Sequence, residues 1–270
     1  MPFTFSHPAA VLPLITDGRG RAPLVASALV AGSLAPDVMF FADSLLPGSY
    51  GVGRTLHRLW AIPTLDVAVG AALVAGWHGL LREPLVALLP DPWADRADAL
   101  TAPCRKPGSR PTARDAAWFA GSVALGVASH VGWDAFTHHG RAGVRLLPVL
   151  DREIAGMPGY LALQWGTSAV GLAAIAAVGA RTLRARPDVP PRRTVLTPRA
   201  KRLGTALVAA GAVAGAAHRC LRDLPKRPSG SDLVATVSFG GGAGALVGAT
   251  LHAVATRLTH RPNSGLTSAP

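Results

Sequence analysis

Residues Ser129 to Gly140 read SHVGWDAFTHHG, which places three histidines and an aspartate in a short segment of an otherwise apolar chain. Buried in lipid or in a protein core, such groups cost several kcal/mol each unless they find partners. His130, Asp134 and His138 stand at i, i+4 and i+8, so a continuous helix carries all three on one face. Imidazole nitrogen and carboxylate oxygen one turn apart are what a zinc-type ion asks of a helix. Thr137 and His139 point elsewhere, and the helix is expected to end near Gly140, which makes His138 the outermost of the three.

The surroundings are those of a membrane protein. Of 270 residues 49% are hydrophobic and only 6% aromatic, with a mean hydropathy of +0.31. The apolar residues are mostly Ala, Val, Leu and Gly, which let helices approach closely where lipid supplies no hydrophobic drive between them. A net charge of +12 raises the question of nucleic acid. The basic residues fall between apolar runs, however, and no basic helix with interleaved aromatics occurs, so anionic lipid is the expected partner. Cys104 and Cys220 lack CxxC spacing and imply neither a disulfide framework nor a zinc ribbon. The opening MPFTFSHPAAVLPLI has no Lys or Arg before its apolar run and is not read as a cleaved signal peptide.

Six segments approach the roughly 20 residues that a spanning helix needs: 22–41, 62–81, 115–136, 160–180, 203–217 and 233–255. The expected fold class is therefore all-α, an integral membrane bundle of five to six spans in the cell (inner or plasma) membrane. The connections PDPWADRADALTAPCRKPGSRPTAR and RARPDVPPRRTVLTPRAKR show no apolar period and read as irregular and exposed. They suggest a His/Asp-containing module over 1–180, a basic Pro-rich linker over 181–202, and an Ala/Gly-rich hairpin with its tail over 203–270. Alternating the loops across the membrane puts 18 of the 27 basic residues on the side of both chain ends, the cytoplasmic side by the positive-inside tendency.

One helical face cannot complete a tetrahedral site. Three other polar residues lie at the ends of apolar segments in the front part: His7 in FSHPA, Asp37 in GSLAPDVMFF and His57 in RTLHRL. If Pro8 to Ile15 forms a short helix, TDGRG its turn, and Ala22 to Ala35 the return, this N-terminal hairpin brings His7 and Asp37 to the same end. Proline suits both the start after His7 and the break before Asp37. Taken singly, each histidine reads as a hydrogen-bonded helix-end residue, Asp37 as a loop residue, and His57 as an interfacial neighbour of Arg54 and Arg58. The His130/Asp134 pair reads equally well as a bond within its own helix. Together these groups need a shared partner, and one cation supplies it. His78, His218, His252 and His260 stand alone and read as interfacial or solvated. No G-x-S-x-G elbow, Walker loop or Rossmann fingerprint occurs, and GGGAG reads as close packing of a Gly-rich membrane helix.

The stretches MPFTFSHPAAVLPL, LVAGSLAPDVMFF, LHRLWAIPTLDVAVG, ASHVGWDAFTHHG and MPGYLALQWGTSAVGL, in that order, resemble the bacterial membrane protein family called domain of unknown function 4184. The likeness runs from Met1 to about Ala180. That family is distantly similar to inner-membrane proteins described as metal-dependent hydrolases and, more remotely, to helical zinc-dependent phospholipase C. The resemblance implies His7, Asp37, His57, His130 and Asp134 as metal ligands, with His138 as a further candidate. It also implies Asp66 and Gln164 as partners that orient imidazoles. The chain departs from the pattern at Thr55-Leu56-His57, where a Ser-His-Thr-like element is common.

The expected function is thus that of an uncharacterised membrane protein binding a divalent metal, zinc first among the candidates, and hydrolysing an ester or phosphoester. No catalytic residue, organic cofactor, substrate or oligomeric state is assigned. The rival is a non-catalytic membrane protein whose cluster is a structural metal clasp, an ion path or a partner-binding site. A soluble nucleic-acid binder is a third possibility, disfavoured by where the charge lies.

Overall fold

The computed structural model describes residues 3–103, 110–154, 156–186, 189–192, 194–224 and 229–259. The chain opens as a 3-10 helix, Thr4–Leu14, because Pro8 and Pro13 withhold the N–H groups that an α-helix would bond. A tight reversal follows, with strands β1 (Ile15–Thr16) and β2 (Arg19–Gly20) paired across Asp17 and Gly18, both at positive φ. Helix α1 (Ala26–Leu34) then returns to a 3-10 turn at Ala35–Asp37, where Pro36 interrupts the ladder, and α2 (Val38–Ala42) continues. This is the expected hairpin. It differs in starting at Thr4, which puts His7 inside the first helix instead of before it.

Helix α3 (Tyr50–Leu56) ends at His57. α4 (Leu65–Gly76), a π turn at Trp77–Leu81 and α5 (Arg82–Val86) then run on as one continuous helix. α6 (Trp93–Thr101) is a helix within a connection expected to be irregular, and Cys104 lies outside the described residues. The 25-residue α7 (Ala113–Thr137) starts on a capping box, the Thr112 hydroxyl bonding the Asp115 amide and the Asp115 carboxylate bonding the Thr112 amide. Short α8 (Ala142–Leu146) and a small ladder, β3 (Glu153–Ile154) with β4 (Met157–Pro158), lead into α9 (Gly159–Arg184), α10 (Pro198–Asp223) and α11 (Gly230–Thr259).

Two close helix contacts organise the molecule. In the front, α1 lies against α7 so tightly that a methyl group on Gly32 would strike the Val123 carbonyl, and one on Gly126 the Leu29 carbonyl. Ala28, Ala35, Val123 and Val127 form the fully buried core there. In the back, α10 and α11 pair through Gly211 with Gly244 and Gly215 with Gly240, each glycine facing the other's carbonyl. This confirms the reading of GGGAG as a packing element. The back hairpin docks on the front through Arg219, whose guanidinium donates to the Phe40 carbonyl at 2.5 Å and to the Ser44 hydroxyl at 2.7 Å.

Among the described residues three helices are long and apolar enough to cross a membrane: Leu65–Val86, Gly159–Arg184 and Gly230–Thr259. The first expected span is a shorter apolar helix, Ala26–Ala42, which starts four residues later than expected and carries a 3-10 turn at Ala35–Asp37. α7 and α10 have the length for the third and fifth spans but do not reach the same apolarity, carrying their polar residues and charges along the helix. The basic connection after α9 is also less exposed than expected. Arg192 is buried, its amide donating to Asp95 at 3.1 Å and its guanidinium reaching Asp95 at 2.7 Å and Asp91 at 2.6 Å.

Candidate metal centre

The contact of α1 with α7 sets the position of the first two site residues. Because Gly126 lets α1 approach, the Ser33 carbonyl comes within 2.8 Å of His130 Nδ1, one turn further along α7. That nitrogen donates, so Nε2 carries the lone pair and faces inward. One more turn along, Asp134 shares the same face, as the i, i+4 spacing requires.

The other residues arrive at this point from three different segments. His7 leans over His130 with ring centroids 3.7 Å apart and planes nearly parallel, its Nδ1 3.2 Å from the Thr4 carbonyl. His57, at the end of α3, donates Nδ1–H to the Gly53 carbonyl at 2.8 Å. Asp37, just past the break that Pro36 makes, accepts from the Thr4 hydroxyl at 2.5 Å through Oδ2 and leaves Oδ1 facing the histidines. All three imidazoles are therefore held at Nδ1 by a backbone carbonyl and present Nε2 to the carboxylates. This is the arrangement by which proteins set a metal-ligating tautomer.

The distances across the cluster are informative. His7 Nε2 lies 3.3 Å from Asp134 Oδ1, and His57 Nε2 lies 3.4 Å from Asp134 Oδ2 and 3.5 Å from Asp37 Oδ1. His130 Nε2 lies 3.6 Å from Asp37 Oδ1 and 3.7 Å from Asp134 Oδ2. A charge-assisted hydrogen bond would be about 2.7–2.9 Å. Donors held roughly 2.0–2.1 Å from one tetrahedral ion stand about 3.3–3.4 Å from each other. The cluster is thus spaced loosely for charge-assisted bonds and at distances at which its donors could share a cation. Consistently, His130 Nε2 and Asp37 Oδ1 are buried with no hydrogen-bond partner among the described residues. Two triads, His7/His130/Asp134 and Asp37/His57/His130, have ligand atoms close enough to hold a metal ion, and every member is buried. Imidazole and carboxylate donors suit zinc and its neighbours.

The electrostatics agree. Burial alone would push His57 down, but the facing carboxylates of Asp134 and then Asp37 lift it to about 10. Two carboxylates in one buried site demand positive charge, from a proton or from a cation.

His138 sits at the rim. Its Nδ1 is 3.5 Å from Asp134 Oδ1 and 3.1 Å from the Asp134 carbonyl, at the point where α7 ends. It belongs to neither triad. Asp66 is fully buried near the start of α4, yet neither of its oxygens has a hydrogen-bond partner among the described residues. Backbone carbonyls, not Asp66 or Gln164, make the orienting bonds to the imidazoles. His252, read as interfacial or solvated, is buried instead and lies 3.2 Å from the Pro84 carbonyl through Nε2. Thr4 is the residue that sequence reasoning passed over: its hydroxyl bonds Asp37 and its carbonyl faces His7. The signal was its position three residues before His7, within one 3-10 turn.

No curated protein and no solved structure matches the chain. The family model described as domain of unknown function (DUF4184) matches residues 1–254, continuing through α10 and most of α11 beyond the stretch that carried the resemblance. With that match over nearly its full length, the chain belongs to the DUF4184 family.

Proposed function

We propose that this protein is a multi-pass inner- or plasma-membrane metalloprotein that holds a divalent ion, zinc first among the candidates, among His7, Asp37, His57, His130 and Asp134, and hydrolyses an ester or phosphoester. The observation that carries the reading is the orientation of three buried imidazoles by three backbone carbonyls toward two carboxylates at 3.3–3.7 Å. Three helices of spanning length and apolarity, with the long α7 and α10 beside them, support five or six spans.

A divalent ion in such a site supplies Lewis acidity and brings the pKa of water beside it to about 7. The residues do the rest. Thr4 and the Ser33 and Gly53 carbonyls fix which atoms face inward, so no reorganisation is needed when charge develops. A carboxylate oxygen that the ion does not take, on Asp134 or Asp37, accepts a proton from attacking water.

The non-catalytic clasp remains the second reading, favoured by one observation: His7, His130 and Asp37 are wholly buried. A closed ligand set serves structure, and an open position serves catalysis. The test is hydrolysis of p-nitrophenyl acyl esters and bis-p-nitrophenyl phosphate by zinc-loaded, detergent-purified protein. Turnover that disappears in Asp134→Asn supports the enzyme. Stoichiometric metal without turnover on either substrate class supports the clasp.

A further inference from the structure

The cluster offers more donor atoms than one tetrahedral ion takes. The Nε2 atoms of His7, His57 and His130, Asp37 Oδ1 and both oxygens of Asp134 face one another at 3.3–3.7 Å. Ring orientation sorts them. An imidazole binds a metal along the nitrogen lone pair, which lies in the ring plane, so the ion stands about 3.2 Å from the ring centre. Two imidazoles that converge on one tetrahedral ion therefore have ring centroids about 5 Å apart. His57 and His130 meet that spacing, with centroids 5.2 Å apart and planes crossing at 68°. His7 and His130 do not, because their centroids are 3.7 Å apart and their planes only 17° from parallel. An ion midway between those two rings, on bonds of about 2.0–2.1 Å, would stand about 1.4–1.8 Å out of each plane, roughly 40–60° off the lone pair. Although their nitrogens are close enough for one ion, His7 and His130 are oriented for different ions.

The carboxylates divide in the same way. Asp134 Oδ2 lies 3.4 Å from His57 Nε2 and 3.7 Å from His130 Nε2, and Asp37 Oδ1 lies 3.5 Å and 3.6 Å from the same two nitrogens. Asp134 Oδ1 is turned instead to His7 Nε2 at 3.3 Å, with His138 Nδ1 3.5 Å from it at the rim. We propose that the cluster holds two divalent ions bridged by Asp134. The inner ion takes His57, His130, Asp37 Oδ1 and Asp134 Oδ2. The outer ion takes His7 Nε2 and Asp134 Oδ1, beside His138. Lone pairs offset as the stacked rings are offset place the ions close to the roughly 3.5–4 Å spacing of two-metal centres. The inner set is closed by four protein ligands, whereas the outer ion keeps open positions, which is what catalysis requires. This rests on the reading of the cluster as a metal centre and gives the clasp and the hydrolase one ion each. Two divalent ions also outweigh the charge of two carboxylates, and the excess favours an anionic substrate, the phosphoester of the two classes proposed above.

The experiment dialyses full-length, detergent-purified protein against increasing Mn²⁺, with total bound metal read by elemental analysis and the ions by electron paramagnetic resonance. The wild type should take up two equivalents per chain. Its saturated spectrum should be that of an exchange-coupled pair, with half the hyperfine spacing of an isolated Mn²⁺ ion. His7→Ala, with helical content unchanged by circular dichroism, should bind one equivalent and give the isolated signal alone. Inorganic phosphate should perturb the spectrum of the wild-type pair and leave that of the single ion in His7→Ala unchanged. If the variant misfolds, the wild-type titration decides by itself. Saturation at one equivalent, two equivalents without coupling, or a coupled pair that survives in His7→Ala overturns the proposal. A single bound ion with hydrolysis leaves the proposed function standing without the pair, whereas no bound metal removes both, so the two failures are distinguishable. A coupled pair indifferent to phosphate sustains the two ions and removes the preference for a phosphoester.

Discussion

The front and the back of this molecule solve opposite problems with the same helical material. In the back, α10 and α11 are unbroken helices of 26 and 30 residues that meet through glycines. In the front, the chain is cut into short pieces, 3-10 turns and proline breaks, and the buried groups are histidines and aspartates. A continuous helix bonds all its own interior carbonyls, so it has none to lend. The front yields three, from Thr4, Ser33 and Gly53, and each steers one imidazole. Irregular backbone is thus what makes the polar cluster possible, and regular backbone what makes the glycine contact possible.

The contrast can be broken from the back with the largest expected effect. Gly244→Val places a side chain against the Gly211 carbonyl, which backbone cannot yield, and should cost about 3 kcal/mol in thermal unfolding in detergent. If the two regions are separable, metal content should survive at temperatures below the new transition. Next comes the joint between them. Arg219→Met removes the donor to Phe40 and Ser44 but leaves Arg222 paired with Asp43 at 3.0 Å, so about 2 kcal/mol should be lost in the same assay.

A smaller change sharpens the front. Thr4→Val keeps shape and burial while deleting the hydroxyl that holds Asp37, and metal affinity should fall about tenfold with little change in unfolding temperature. A fall in stability without a fall in affinity would make Thr4 a packing residue only. The mildest effect lies in the polar connection. The Arg192 amide and then its guanidinium hold the Asp95 carboxyl below its ordinary 3.8. A carboxylate whose folded-state pKa is lowered stabilises the attachment above that ordinary value and loses its hold as pH falls through the lowered one. Hydrogen exchange at the Arg192 amide, corrected for its intrinsic rate, should show protection at pH 5 that declines toward pH 3.

Much of this was legible in the residues. The i, i+4 spacing put His130 and Asp134 on one face, and prolines 8 and 36 announced the hairpin that returns His7 to Asp37. What escaped was backbone: no residue type records that the Ser33 carbonyl will face His130, since that depends on how closely Gly126 lets two helices meet. The number of spans stays open in the residues because apolar runs resemble each other until a proline or a charge decides their length. His252 escaped because a lone histidine on a helix carries no sign of the Pro84 carbonyl that it will meet 168 residues away.

The central claim is that the front cluster is built for a cation. The most direct test is elemental analysis of the detergent-purified protein beside a His130→Ala/Asp134→Ala variant folded to the same degree. Near-stoichiometric zinc, manganese or iron in the wild type, absent from the variant, is the predicted result. No metal in either, even after reconstitution, would contradict it and leave the two carboxylates neutralised by protons on the histidines alone.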